Sequence, residues 1–367
     1  MSMGYFLVPH APLFSHAGVV PLKGQRPDRR RLADQAIRPW LVASLAWVAI
    51  VGSARSAMAQ IQVCDPAKVV SAEACAKCHV NEVQAWQNTP HFRTFDELGR
   101  RPQAQQICQK LGLRSVKRSD VCIDCHFTMQ ESHGRHKPVS GISCESCHGA
   151  AKEWVNVHND YGGPTITKDS ESAAHALERF HRSVELGMHN TRNLYQIARS
   201  CFHCHTVPNE QLVNVGGHVA GSDQFELVRW SQGQVRHNFL RVDGQSNATS
   251  TPERLRVMFV VGLLADLEFS TRATAQATEK STYGVTLANR AARVAVDLYN
   301  VQQKINDPHV QQALVAFAEA NLTLNNQSQL QSIADQIRAA GEQFAVACDG
   351  SQLAVIDELL PTPGEYK

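Results

Sequence analysis

Two cysteines three positions apart, with a histidine directly after the second, recur four times in the 367-residue chain. The sets are Cys75, Cys78 and His79; Cys122, Cys125 and His126; Cys144, Cys147 and His148; and Cys201, Cys204 and His205. Thiols at this spacing can add to both vinyl groups of one porphyrin, and the adjoining histidine then lies beneath the iron as an axial ligand. Structural zinc held by Cys-x-x-Cys pairs has no need of a histidine after every second cysteine. The repeats therefore read as covalent attachment sites for four haem c groups, with His79, His126, His148 and His205 as metal ligands and no residue assigned to catalysis.

Any second axial ligands must come from the remaining histidines. His91 follows His79 by twelve residues, through a stretch where Val83 and Trp86 keep helical spacing. A mostly helical connection of that length spans up to ~18 Å, whereas two ligands of one iron face each other across a few ångströms. His91 is therefore expected to serve a haem other than that of its own motif. The same argument applies to His158, ten residues after His148 through the helical-looking stretch 150–157. Beyond the last motif, His218 and His237 are further candidates. His133, His136, His175, His181 and His189 read as solvated or hydrogen-bonded, His136 and His189 being the best exceptions. Met129 and Met188 are few against many histidines, so most irons are expected to be bis-histidine and of low potential.

The apolar run Trp40 to Gly52 follows Arg29, Arg30, Arg31 and Arg38 and precedes Ala57-Met58-Ala59. That order reads as a secretory signal over 1–59, cleaved before Gln60. The run is too short to span a bilayer, so a periplasmic or otherwise exported protein, soluble after cleavage, is expected. Export suits haem c, which is attached outside the cytoplasm. Of eleven cysteines, Cys64, Cys108 and Cys348 lie outside the motifs. A Cys64–Cys348 bridge and three buried thiols are both open readings. The net charge of +2 argues against nucleic acid or another polyanion as partner.

The composition changes near residue 250, from His, Cys, Gly and Asn to Ala, Leu, Val and Gln. The expected fold is mainly α: a loop-rich tetrahaem domain with little sheet over 60–250, an antiparallel helical bundle over 251–348 and a tail over 349–367. Thr251-Pro252 and Asp307-Pro308 each place a capping side chain before a proline at the first helical position. Helices are expected over 252–275, 284–305, 308–323 and 327–347, with apolar faces such as Val294, Leu298, Val301 and Ile305. The bundle carries no cluster of ligand type, so packing is its first reading, with docking or homo-oligomerisation as its use. The first part has too few apolar side chains for a core of its length, so porphyrins must supply apolar volume. Four of them in a domain of radius about 16 Å must come close to one another.

The spacing of His79 to His91, the phrase Gly141-Ile142-Ser143-Cys144-Glu145-Ser146-Cys147-His148-Gly149 and a histidine about ten residues beyond it resemble the tetrahaem cytochrome c-554 family. The resemblance covers about residues 70–240 and not the bundle. It implies that His91 is the distal ligand of the third haem, that His158 serves the fourth, and that either His218 or His237 serves the first. It also implies a five-coordinate second haem, but this chain has two histidines where that pattern needs one, so the second iron could equally be closed. The leading expectation is an electron carrier between extracytoplasmic redox partners. Reduction of a small nitrogen oxide such as nitric oxide at an open second haem, and a subunit of an extracellular cytochrome filament, are the alternatives.

Overall fold

The computed structural model describes residues 64–222 and 224–367; the signal-peptide reading over 1–59 lies outside them. The described chain is mainly α-helical. Short helices come first: α1 (Ala72–Ala76), α2 (Val80–Gln87), α3 (Pro90–Glu97), α4 (Pro102–Lys110) and α5 (Asp120–His126). A hairpin follows, β1 (Thr128–Ser132) and β2 (Arg135–Ser140), paired antiparallel around His133-Gly134. Both turn residues have positive φ, 52° and 69°, the geometry a two-residue hairpin connection needs. Next come α6 (Cys144–His148), α7 (Ala173–Glu185), α8 (Leu194–His205), α9 (Glu210–Asn214) and α10 (Leu227–Ser231).

Four longer helices complete the chain: α11 (Pro252–Thr274), α12 (Thr282–Ile305), α13 (Pro308–Ala318) and α14 (Gln327–Ala347). The capping signals act as read. Thr251 Oγ1 accepts from Arg254 N, and Asp307 accepts from the amides of His309 and Val310. The third helix ends at Ala318, five residues before its expected limit, and α12 starts two residues early, at Thr282.

The apolar core runs across the composition boundary at residue 250. Tyr195, Ala198 and Phe202 of α8 and Leu227 and Val228 of α10 pack in one cluster with Val261, Leu264, Leu298, Ile337 and Phe344 of the bundle. α11 lies at its centre, buried on every side, and so its polar residues must be paired inside the protein. Glu268, fully buried, accepts from Tyr195 Oη (3.0 Å), Arg199 Nε (3.2 Å) and Arg272 Nε (2.8 Å). Asp266 takes a two-pronged ion pair from Arg290 at 2.7 and 3.0 Å. These contacts key α8, which carries the fourth motif, into the bundle. Gly341 is where α14 meets α8: a Cβ there would lie 2.1 Å from the Tyr195 ring.

No helix among the described residues is long and apolar enough to cross a membrane. No disulfide forms among the described cysteines, so no bridge joins Cys64 to Cys348.

Replacing Glu268 by Ala leaves Arg199 without a carboxylate in the core, while Arg272 keeps Asp335 at 2.6 Å, and breaking a buried pair in this way costs about 3–5 kcal/mol. A urea unfolding curve of the purified protein should show a loss of that size, whereas Glu342→Ala at the surface should show almost none.

Candidate functional site

Each motif occupies the C-terminal end of a short helix or the turn after one, which turns the final histidine toward the molecular interior. His126, His148 and His205 close α5, α6 and α8, and His79 follows α1 as the cap of α2. Opposite each stands one other imidazole. The ring centres are 6.2 Å apart for His79 and His158, 6.4 Å for His205 and His91, 6.4 Å for His126 and His218, and 6.1 Å for His148 and His237. All eight candidate ligand histidines are thus used once.

An imidazole nitrogen sits about 2.0–2.1 Å from a metal ion and its ring centre about 1 Å further back, so two axial imidazoles on one ion have centres about 6 Å apart. The four pairs have that separation. The ring nitrogens agree: Nδ1 of His148, His158, His218 and His237 donates to the carbonyls of His189 (3.2 Å), Val155 (2.6 Å), Val219 (2.9 Å) and Val235 (2.7 Å). A ligand histidine characteristically commits its other nitrogen in this way, which fixes tautomer and orientation and leaves Nε2 to the metal. Desolvation pushes the imidazoles down, His126 and His148 to about 4 and His205 to about 3, so these rings are neutral, as ligation requires. His91 and His158 are lowered for the same first reason. Trp154 is seated against His158, ring centres 5.2 Å apart, and its buried Nε1 has no partner in the protein, leaving an indole donor for a group held there. The residues present fit haem c.

His91 faces His205 and so serves a motif other than its own, but it faces the fourth motif, not the third that the resemblance implies. His158 faces the first motif, not the fourth. His218 and His237 face the second and third motifs, and neither faces the first. Pairing of this kind depends on which distant segments the fold brings together, and spacing along the chain does not carry it.

The third motif anchors its neighbours. Glu145, between its cysteines and 1% exposed, accepts the amides of Val70, Ser71 and Ala151 at 2.8–2.9 Å. Those bonds hold the segment before α1 against α6. Thr128 Oγ1 bonds Gly141 O, Ser143 Oγ and Ser146 Oγ within 3.0 Å, joining the hairpin to the same helix. Gly141 has to be glycine, because a Cβ would lie 2.0 Å from the carbonyl oxygen of His91. That close approach, with Ile142 N donating to the same oxygen, holds His91 opposite His205.

His189 has both ring nitrogens engaged, Nδ1 with Cys147 O and Nε2 with Gln196 Nε2. It serves instead to brace the third motif, and its backbone carbonyl orients His148. His136 is an exposed hairpin residue 3.6 Å from Glu131. Sequence reasoning missed Glu145, Gly141, Arg290 and Phe225. The last stacks on His205 at 4.0 Å between ring centres, and Arg290 Nη1 donates to His205 O at 3.3 Å.

Cysteines of different motifs also meet. The thiols of Cys75 and Cys144 hydrogen-bond, which lowers the first and raises the second, and Cys204 is raised foremost by Cys125. Cys125, Cys204 and His203 lie within 4.8 Å of one another, a grouping that belongs to the attachment sites of the second and fourth motifs and not to a separate metal centre.

Residues 74–149, which contain the first three motifs, match the family model described as cytochrome c554 and c-prime. Cytochrome c-554 of Nitrosomonas europaea is 26% identical over 96 residues, 24% of this chain and 41% of that protein. The chain thus spans less than half the length of that relative, and no solved structure matches. With the attachment cysteines and their paired histidines in place, residues 74–149 are thus similar to the cytochrome c554 family over the stretch that holds the first three motifs.

Proposed function

We propose that the protein is an exported tetrahaem cytochrome that passes electrons between two extracytoplasmic redox partners through four six-coordinate bis-histidine haems. The observation that carries this reading is the set of four imidazole pairs at metal-bridging distance, one for each motif. When bound, haem c supplies a one-electron redox centre, and the chain's part is to set its axial ligands, burial and surroundings. Export is inferred from the signal-like segment before Gln60 and from the chemistry of attachment.

The contacts between motifs support an order of sites. Cys75 lies against Cys144, Cys147 is close enough to act on Cys201, and Cys204 lies against Cys125. The sequence of neighbours is therefore first, third, fourth, second, with the first and second motifs at the ends. Electrons entering at one end would leave at the other.

The pairing of His126 with His218 favours a carrier over an enzyme, since two axial imidazoles leave no position for a small nitrogen oxide. Likewise, His218 and His237 both have a partner within the chain, which removes the candidates for a ligand donated to a neighbour in a filament.

Mass spectrometry of the exported protein should show four haems added to the chain beginning at Gln60. Electron paramagnetic resonance of the oxidised form should show only low-spin iron, and carbon monoxide should not bind the reduced form. A high-spin signal or carbon monoxide bound at one haem in four would overturn the reading in favour of the reductase. His218→Ala should create that signal at one haem while leaving four attached, and Gly141→Ala should do the same at another by displacing His91. Asp266→Asn should leave the Arg290 cation uncompensated beside His205; because positive charge favours the reduced state, one midpoint in a spectroelectrochemical titration should move upward.

A further inference from the structure

The chain-wide charge balance conceals a local excess. Between residues 93 and 118 there are seven lysines and arginines against two carboxylates. Arg93 and Arg101 share Glu97, at 3.6 and 3.0 Å. Arg100, Lys110, Arg114 and Arg118 are exposed, and among the described residues none has a carboxylate within ion-pair distance. They lie on α3, α4 and the turns beside them, whose apolar side chains Leu98, Ala104, Leu113 and Val116 point the other way, into the small core around Cys122 of the second motif. The cations therefore coat the outside of the second haem's site.

A second observation falls at the same place. His218, opposite His126, stands on an exposed loop between Val215 and Val219, which are 53% and 59% exposed. That loop rests on α4: Gly216 packs on Ile107 and Leu111, and Gly217 lies beside Lys110 Nζ. Arg101 is near enough to His126 to lower its pKa. A small apolar patch beside His218, with Lys110 at its edge and the other unpaired cations on the segment that packs beneath it, combines close approach with long-range attraction for an oppositely charged surface. The other end of the order differs, with two cations to three carboxylates between residues 64 and 82.

We propose that the surface formed by α4 and the 215–219 loop is the docking site for an acidic redox protein, and that the second haem is the port through which electrons cross to or from it. This rests on the four-haem reading, so the low-spin four-haem spectrum of each preparation is recorded first; the haem assignment stands on that spectrum and the surface on the rates that follow.

The probe is a reduced acidic plant-type ferredoxin, mixed by stopped flow with the oxidised protein, its quadruple variant Arg100→Glu, Lys110→Glu, Arg114→Glu and Arg118→Glu, and a control variant Lys68→Glu and Lys168→Glu, both exposed and outside the motifs. At low ionic strength the quadruple variant should be reduced at least about tenfold more slowly than the unaltered protein, and the control should not. For the unaltered protein alone, the rate should fall steeply as salt shortens the screening length from about 30 Å to about 3 Å. Equal rates in all three proteins, or a salt-independent rate, would overturn the proposal. Capture of the protein by phosphatidylserine vesicles through the same four residues, with ferredoxin rates unchanged, would assign the surface to a membrane and overturn it as well.

Discussion

Each motif histidine has a second imidazole about 6 Å from it, and its own neighbours along the chain do not supply that partner. Helical segments carry His91 away from His79 and His158 away from His148, so every pair must be closed by a distant part of the chain. The result is a set of mutual crossings. The segment after the first motif completes the fourth, the segment after the third completes the first, and the two loops beyond the fourth complete the second and third. Between residues 64 and 193, which the main apolar cluster does not reach, these crossings join the distant segments.

The third motif is where most crossings are tied. Glu145 spends its two oxygens on three backbone amides, drawing in the approach to the first motif and the segment toward His158. Gly141 lets the His91 carbonyl come close, and His189 braces the motif from the side of α8. One short helix thus fixes the position of histidines in three different pairs. The family phrase around Cys144 and Cys147 is explained by these contacts, not by the attachment chemistry, which the other motifs accomplish with different intervening residues.

The helical bundle has a related role. Buried ion pairs contribute little net stability, because desolvation offsets their attraction, but a partner removed leaves a costly unpaired charge. Glu268 with Arg199, and Asp266 with Arg290, therefore act as keys that admit one arrangement of α8 against α11. Arg290 continues to the carbonyls of His205 and Ser222, so the bundle touches the backbone of an axial ligand. Its shared core with α8 and α10 makes it the wall of the fourth site and not an appended module.

Local chemistry was legible in the sequence, and long-range geometry was not. Cys-x-x-Cys-His states its cofactor in five residues, and Thr251-Pro252 and Asp307-Pro308 mark helix starts, because covalent reach and capping are properties of adjacent atoms. The eight paired histidines could be chosen by counting and by the length of a helix. Which distal histidine meets which motif could not, since it depends on close approaches such as Gly141 against His91 that have no local signature. The balance of charge shows the same limit: a total near zero says nothing of where cations gather, and only the fold, by turning Leu98, Ala104 and Val116 inward around Cys122, places the unpaired arginines of that segment on the outer side of the second motif.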